Sequence, residues 1–160
     1  ATEAIMRALA TRLEGDPDIW GITGLLHDMD LEIIDNDMRR HARTTADILE
    51  AKGYPPEGLQ AILSHNGDVL GIEMSGNFDH ALSAAETITG LIVACTLVYP
   101  SKKVADVKPK SIRKRMKEHR FAANVSRDRI RLIEKTGIAL DDFILISLEA
   151  MRGVGGEIGL

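Results

Sequence analysis

Five side chains in the first half of this chain have the chemistry of metal ligands: the adjacent pair His27 and Asp28, then His41, His65 and Glu86. Neutral imidazoles and carboxylates converging on one point suit iron, manganese, zinc, nickel or cobalt. Each histidine taken singly has a plainer reading, as a polar surface group or as a partner for the negative end of a helix. Their placement together argues for more. Glu86 is the only charged side chain between Ala81 and Ser101. A carboxylate on an otherwise apolar helix is costly unless a cation or hydrogen-bond donors meet it. Its ordinary alternative is a charge favoured near a helix N-terminus, with Thr87 and Thr89 as local partners. His80 and His119 read as surface residues.

The elements that must carry these residues are helical, since apolar positions recur at helical spacing with little strand-like alternation. A first helix spans Thr2 to Leu13, with Ile5, Leu9 and Leu13 on one stripe and Gly15 closing it. Asp16 caps a second, with Pro17 at its first position. That helix runs to about His27 and is expected to turn Trp20, Ile22, Leu25 and Leu26 inward. A third runs from near Asp37 to Lys52, ended by Gly53. After the turn Tyr54-Pro55-Pro56, a fourth covers Pro56 to His65. In that antiparallel hairpin His41 and His65 each lie roughly 15–18 Å from the turn, at the same open end. His27 ends the preceding helix.

Gly67 to Phe78 reads as a loop, and a long helix follows from about Asp79 to Val98, stopped by Pro100. Short helices are expected at Ser111–Glu118 and Ser126–Lys135, each opened by a serine. A last helix is capped by Asp141 or Asp142 and ends at Gly153. The expected class is all-α: a compact bundle of about five core helices plus short C-terminal helices. Residues 1–152 form one domain, and the glycine-rich stretch 153–160 a flexible tail.

The chain has 160 residues, enough for one substantial core. No apolar run reaches the ~18 residues of a membrane span, and no secretory leader is evident, so a cytoplasmic location is expected. The lone Cys95 lies in the apolar stretch Leu91–Cys95 and reads as core. The net charge of -4 hides a segregation: residues 1–101 carry a net of -10 and residues 102–135 a net of +9. Such a basic stretch can bind phosphate, nucleotide or nucleic acid, or simply be a solvated helix face. Its single aromatic, Phe121, gives base stacking little to work with, so nucleic acid is not the expected partner. Nothing in the sequence sets an oligomeric state.

The string Gly24-Leu25-Leu26-His27-Asp28-Met29-Asp30 resembles the signature of the HD superfamily, in particular its HDIG-type branch of metal-dependent phosphohydrolases. His41 with Ala46-Asp47-Ile48-Leu49, then Ala61-Ile62-Leu63-Ser64-His65, is similar to the next two histidine segments of that family. Ala84-Ala85-Glu86-Thr87-Ile88-Thr89-Gly90 resembles the segment of its last acidic ligand. The resemblance implies an all-helical fold and one or two divalent ions, magnesium included among the candidates. His27, Asp28 and Glu86 would ligate the first metal, and His41 and His65 the second, with Asp28 bridging and central to catalysis. The implied activity is hydrolysis of a phosphate mono- or diester, a nucleotide being the expected substrate, by metal-activated water. Lys102, Lys103, Lys110 and Lys117 are candidates, from charge alone, for holding the substrate phosphate.

Two departures stand out. The family's first ligand is a histidine in the opening helix; no histidine precedes His27, so this ligand is either lost or lies upstream of Ala1. The last acid is ordinarily aspartate, and here it is Glu86, one methylene longer. Both support an alternative, a catalytically idle HD domain that binds a nucleotide or a protein.

Overall fold

Residues 1–160, described by a computed structural model, fold into helices and turns without a strand. The α-helices are α1 (Thr2–Arg12), α2 (Pro17–Leu26), α3 (Arg43–Glu50), α4 (Pro56–His65), α5 (Gly67–Leu70), α6 (Asn77–Leu97), α7 (Pro109–Lys117), α8 (Arg127–Arg131) and α9 (Leu140–Gly153). Short 3-10 turns occupy Val104–Asp106 and Leu132–Thr136.

The central element is α6. Ala81, Leu82, Ala84, Ala85, Ile88, Leu91 and Ile92 are all fully buried, and α1, α4, α7, α8 and α9 pack around it. By length and composition this helix would suit a membrane span, which amends the expectation that no segment does. Here its apolar surface is met by neighbouring helices instead. Small residues along one side let partners approach closely. Cys95 lies in this core, where burial pushes its thiol up to about 11. α9 belongs to the same core through Phe143, Ile144, Leu148 and Met151, packing on α1.

Asp16 caps α2 as expected, accepting from the backbone N–H groups of Asp18 and Ile19. The inward face of α2 differs from the expectation: Trp20, Gly21, Thr23 and Gly24 are buried, whereas Ile22 is 38% and Leu25 60% exposed. The reason is close packing on α1. A Cβ on Gly24 would lie 2.8 Å from Met6 Cγ, so it is the glycine edge, not the leucine edge, that faces inward. Trp20 stacks on Phe78 at the start of α6, centroids 4.4 Å apart.

α3 is also shorter than its periodicity suggests. Residues 37–41 form a separate turn, closed by the His41 N–H on the Asp37 carbonyl. The chain then breaks at Ala42, whose φ is 68°. The stretch 67–78 contains the short α5, and α6 begins at Asn77, taking Phe78 into the helix. Ser126 caps α8. Ser111 does not cap α7; its hydroxyl meets that of Tyr99. Asp141 and Asp142 lie inside α9, after its N-cap Ala139. Residues 154–160 fold back in turns, with Gly155 buried beside Val104 and Leu160 packed against the core.

Candidate metal centre

Four elements bring the five expected residues together. His27 follows the last residue of α2, and its Nδ1 donates to the Gly24 carbonyl at 2.9 Å. Asp28 comes next, where the chain leaves the helix. His65 is the last residue of α4, and its Nδ1 donates to the Ile62 carbonyl. His41 sits just before the break at Ala42, and its Nδ1 donates to Asp30 Oδ1 at 2.7 Å. Glu86 points in from the third turn of α6, its side chain 19% exposed.

In all three histidines a carbonyl or carboxylate therefore engages Nδ1, which leaves Nε2 facing the centre. The Nε2 atoms of His41 and His65 are 3.0 Å apart. Two neutral rings in this tautomer would oppose lone pairs at that distance. A cation about 2.1 Å from each nitrogen, with a right angle between them, spans the same ~3 Å. The donor set thus fits a metal ion.

Asp28 joins two groups of donors. Its Oδ1 is 3.3 Å from His41 Nε2 and 3.5 Å from His65 Nε2, while Oδ2 is 3.2 Å from His27 Nε2. Glu86 Oε2 lies 3.6 Å from the same His27 nitrogen. Asp28, His41 and His65 offer ligand atoms all within 4.8 Å of one another, and so do His27, Asp28 and Glu86. The extra methylene of Glu86 does not keep it out of reach.

The electrostatics follow from this crowding. Burial tends to raise the Asp28 pKa, but hydrogen bonding to three imidazoles outweighs it and holds the carboxyl well below its ordinary range. Burial likewise opposes protonating His27, yet Asp28 and Glu86 win and its pKa is raised. His41 is raised by Asp28 first, against desolvation, with Asp30 adding to the effect.

Three supporting residues carried no individual assignment from sequence. Asp30 is fully buried; besides His41 it accepts the backbone N–H of Thr45 at 3.0 Å, in the first turn of α3. A helix N-terminus favours that carboxylate. Its signal was its place two residues after Asp28. Asn66 donates to the carbonyls of Met38 and His41, tying the segment before α3 to the end of α4. Arg129 of α8 donates to the His65 carbonyl at 2.9 Å, lies 3.4 Å from Glu86 Oε1 and pairs with Asp68 at 2.7 Å. Nothing marked it out among thirteen basic residues in 102–135.

Other candidates lie elsewhere. Lys102, Lys103, Lys110 and Lys117 are exposed and line neither of the hollows that meet at Arg129. From Glu86, α6 carries the chain ~16 Å along its axis before the turn that holds Lys102 and Lys103. His119 is exposed, as expected. His80 is half-buried and lines the larger hollow, its Nδ1 on the Gly76 carbonyl.

An all-helical bundle gathering histidines and acids at the ends of α2 and α4 and on α6 defines the class: a helical protein with a metal-type centre. The chain belongs to the HD domain family, whose sequence pattern matches residues 1–115. No curated protein and no solved structure matches it. HD domains are typically metal-binding hydrolases of the metal-dependent phosphohydrolase superfamily, and the His, Asp and Glu groups here could hold such an ion.

Proposed function

We propose that this protein is a metal-dependent phosphohydrolase acting on a phosphate mono- or diester, with a nucleotide as the expected substrate. The observation that carries the reading is Asp28, whose two oxygens face two separate donor groups, one with His41 and His65, the other with His27 and Glu86. A carboxylate so shared suits a pair of ions, which in phosphate-ester hydrolases sit ~3.5–4 Å apart. His27, Asp28 and Glu86 would hold one ion and Asp28, His41 and His65 the other. Divalent metal there would supply Lewis-acid polarisation of phosphoryl oxygens and acidification of water.

The chain's own residues prepare the site. Asp30 keeps the proton on His41 Nδ1 and so directs Nε2 inward; backbone carbonyls do the same for His27 and His65. Asn66 fixes the segment that presents His41. The half-exposed Asp28, its side chain 44% accessible, is where substrate and solvent can enter.

A second reading, an idle HD domain that binds a nucleotide or a partner protein, is favoured by the Arg129 guanidinium beside Glu86, which balances that carboxylate without a metal. One experiment separates the two. The purified chain and a His27→Ala, Asp28→Ala double variant are loaded with manganese, iron, nickel or zinc, analysed for metal, and assayed on nucleotides and p-nitrophenyl phosphate. Near-stoichiometric metal and turnover, both lost in the variant, support the hydrolase. Tight nucleotide binding without turnover in every metal tried favours the idle domain.

A further inference from the structure

We propose that Arg129, in the part of the basic stretch that lies beyond the family match, binds the substrate's phosphate and so completes the site; this rests on the phosphohydrolase reading. Arg129 stands where two hollows meet. One, of about 380 Å³, is lined by Asp28, His41, His65 and Glu86. The other, of about 640 Å³, lies beyond it, between Gly67, Asp68, His80 and Lys135. Hollows of this size take small organic ligands. A phosphoryl group at the metal centre would touch the guanidinium, and the group esterified to it would have the larger hollow to enter.

The present partners of Arg129 leave it free to take this part. Its Nη1 is anchored inward, on the His65 carbonyl and Glu86. Its Nη2 meets Asp68, whose side chain is 85% exposed. An ion pair with so exposed a carboxylate contributes little and exchanges readily. A phosphate offers more acceptor oxygens to the planar fork that guanidinium presents. Asp68 thus holds the arginine in place until an anion replaces it.

The backbone that carries Arg129 is fixed independently. Two residues earlier, Arg127 is buried and spends its guanidinium on the carbonyls of Arg115, Glu118, Phe121, Ala122 and Val125. On the opposite wall, the α5 turn that presents Asp68 depends on Gly67, where a Cβ would come within 2.1 Å of the Ile72 carbonyl oxygen. The anion-binding residue therefore hangs between two rigid supports.

The test is calorimetric titration of the manganese-loaded 160-residue chain with inorganic phosphate, for the unmodified protein, Arg129→Gln, Arg129→Lys and Asp68→Asn, with metal content measured on each. Arg129→Gln should keep its manganese, since losing a positive charge beside Glu86 does not disfavour a cation, and should bind phosphate roughly 10- to 100-fold more weakly. Arg129→Lys should fall between, keeping the charge without the fork, and Asp68→Asn should bind phosphate at least as tightly as the parent. Equal phosphate affinity in Arg129→Gln at equal metal content overturns the proposal. So does loss of manganese together with phosphate, which would make Arg129 a support for Glu86. If the unmodified protein holds manganese but binds no phosphate, this proposal falls, and turnover on phosphate esters decides the hydrolase reading separately.

Discussion

Between His27 and Glu86, three imidazoles and two carboxylates turn inward and meet one another. Between Lys102 and Lys135, thirteen basic side chains mostly turn outward, and several are matched by a carboxylate a turn away, as in Lys114–Glu118, Arg115–Glu118 and Arg131–Glu134. In sequence the second region is the louder one, with its net charge of +9. In space the first is where unlike groups are forced together, and only Arg129 from the second reaches it. A dense run of charge spread over a surface is screened and solvated. A few groups that share a desolvated point change each other's chemistry. Convergence, not density, marks the site.

The contrast predicts that changes in the first region are severe and those in the second slight, with two exceptions. The largest effect is expected for Asp28→Asn, which removes the shared carboxylate: metal content and metal-stimulated hydrolysis should both drop to background, read by elemental analysis and phosphate release. Next comes Asp30→Asn. It touches no substrate, yet the loss of a buried partner to His41 should weaken manganese binding roughly 10- to 100-fold. An unchanged affinity would show that Asp30 only caps α3.

Arg127→Met is the first exception within the basic region. It strands several buried carbonyls and should cost on the order of 3 kcal/mol in a urea titration, unlike its exposed neighbours. Arg129 is the second, as set out above.

The pH dependence sharpens the same contrast. The raised pKa values of His27 and His41 in the metal-free protein mean that their protonated forms favour the fold. That contribution is fully present below the unfolded histidine value, ~6.5, and is lost as pH rises through the raised folded values. Asp28, with its pKa lowered, contributes above ~3.9 and loses this only as pH falls toward its depressed value. Thermal stability of the metal-free protein should thus decline from pH 6 to pH 8. Metal affinity should rise over the same interval, because the ion competes with those protons. Parallel trends in both would argue against a metal at these imidazoles. The smallest effect is expected for Lys102, Lys103, Lys110 and Lys117 changed together to alanine. Each exposed site should alter stability by no more than ~0.5 kcal/mol, and phosphate titration should match the parent.

The sequence by itself determined most of the elements and the donor groups that meet at the candidate centre. The caps at Asp16 and Ser126, the left-handed turn at Gly53 beyond the end of α3 and the bounds of α4 depend on local backbone chemistry, which acts over a few residues and can be read from them. The ordered set of His27, Asp28, His41, His65 and Glu86 is legible because helix ends and a helix face constrain where side chains can point. Only the tertiary structure decided the rest. Which edge of α2 faces inward was set by α1 approaching Gly24, and the start of α3 by the break at Ala42, which lets Asp30 meet both His41 and Thr45. The same holds for Arg127 and Arg129, alike in type and two residues apart. One is buried among backbone carbonyls, and the other reaches 43 residues back to Glu86. Contacts at that separation depend on how the helices pack, so the residues alone do not reveal them.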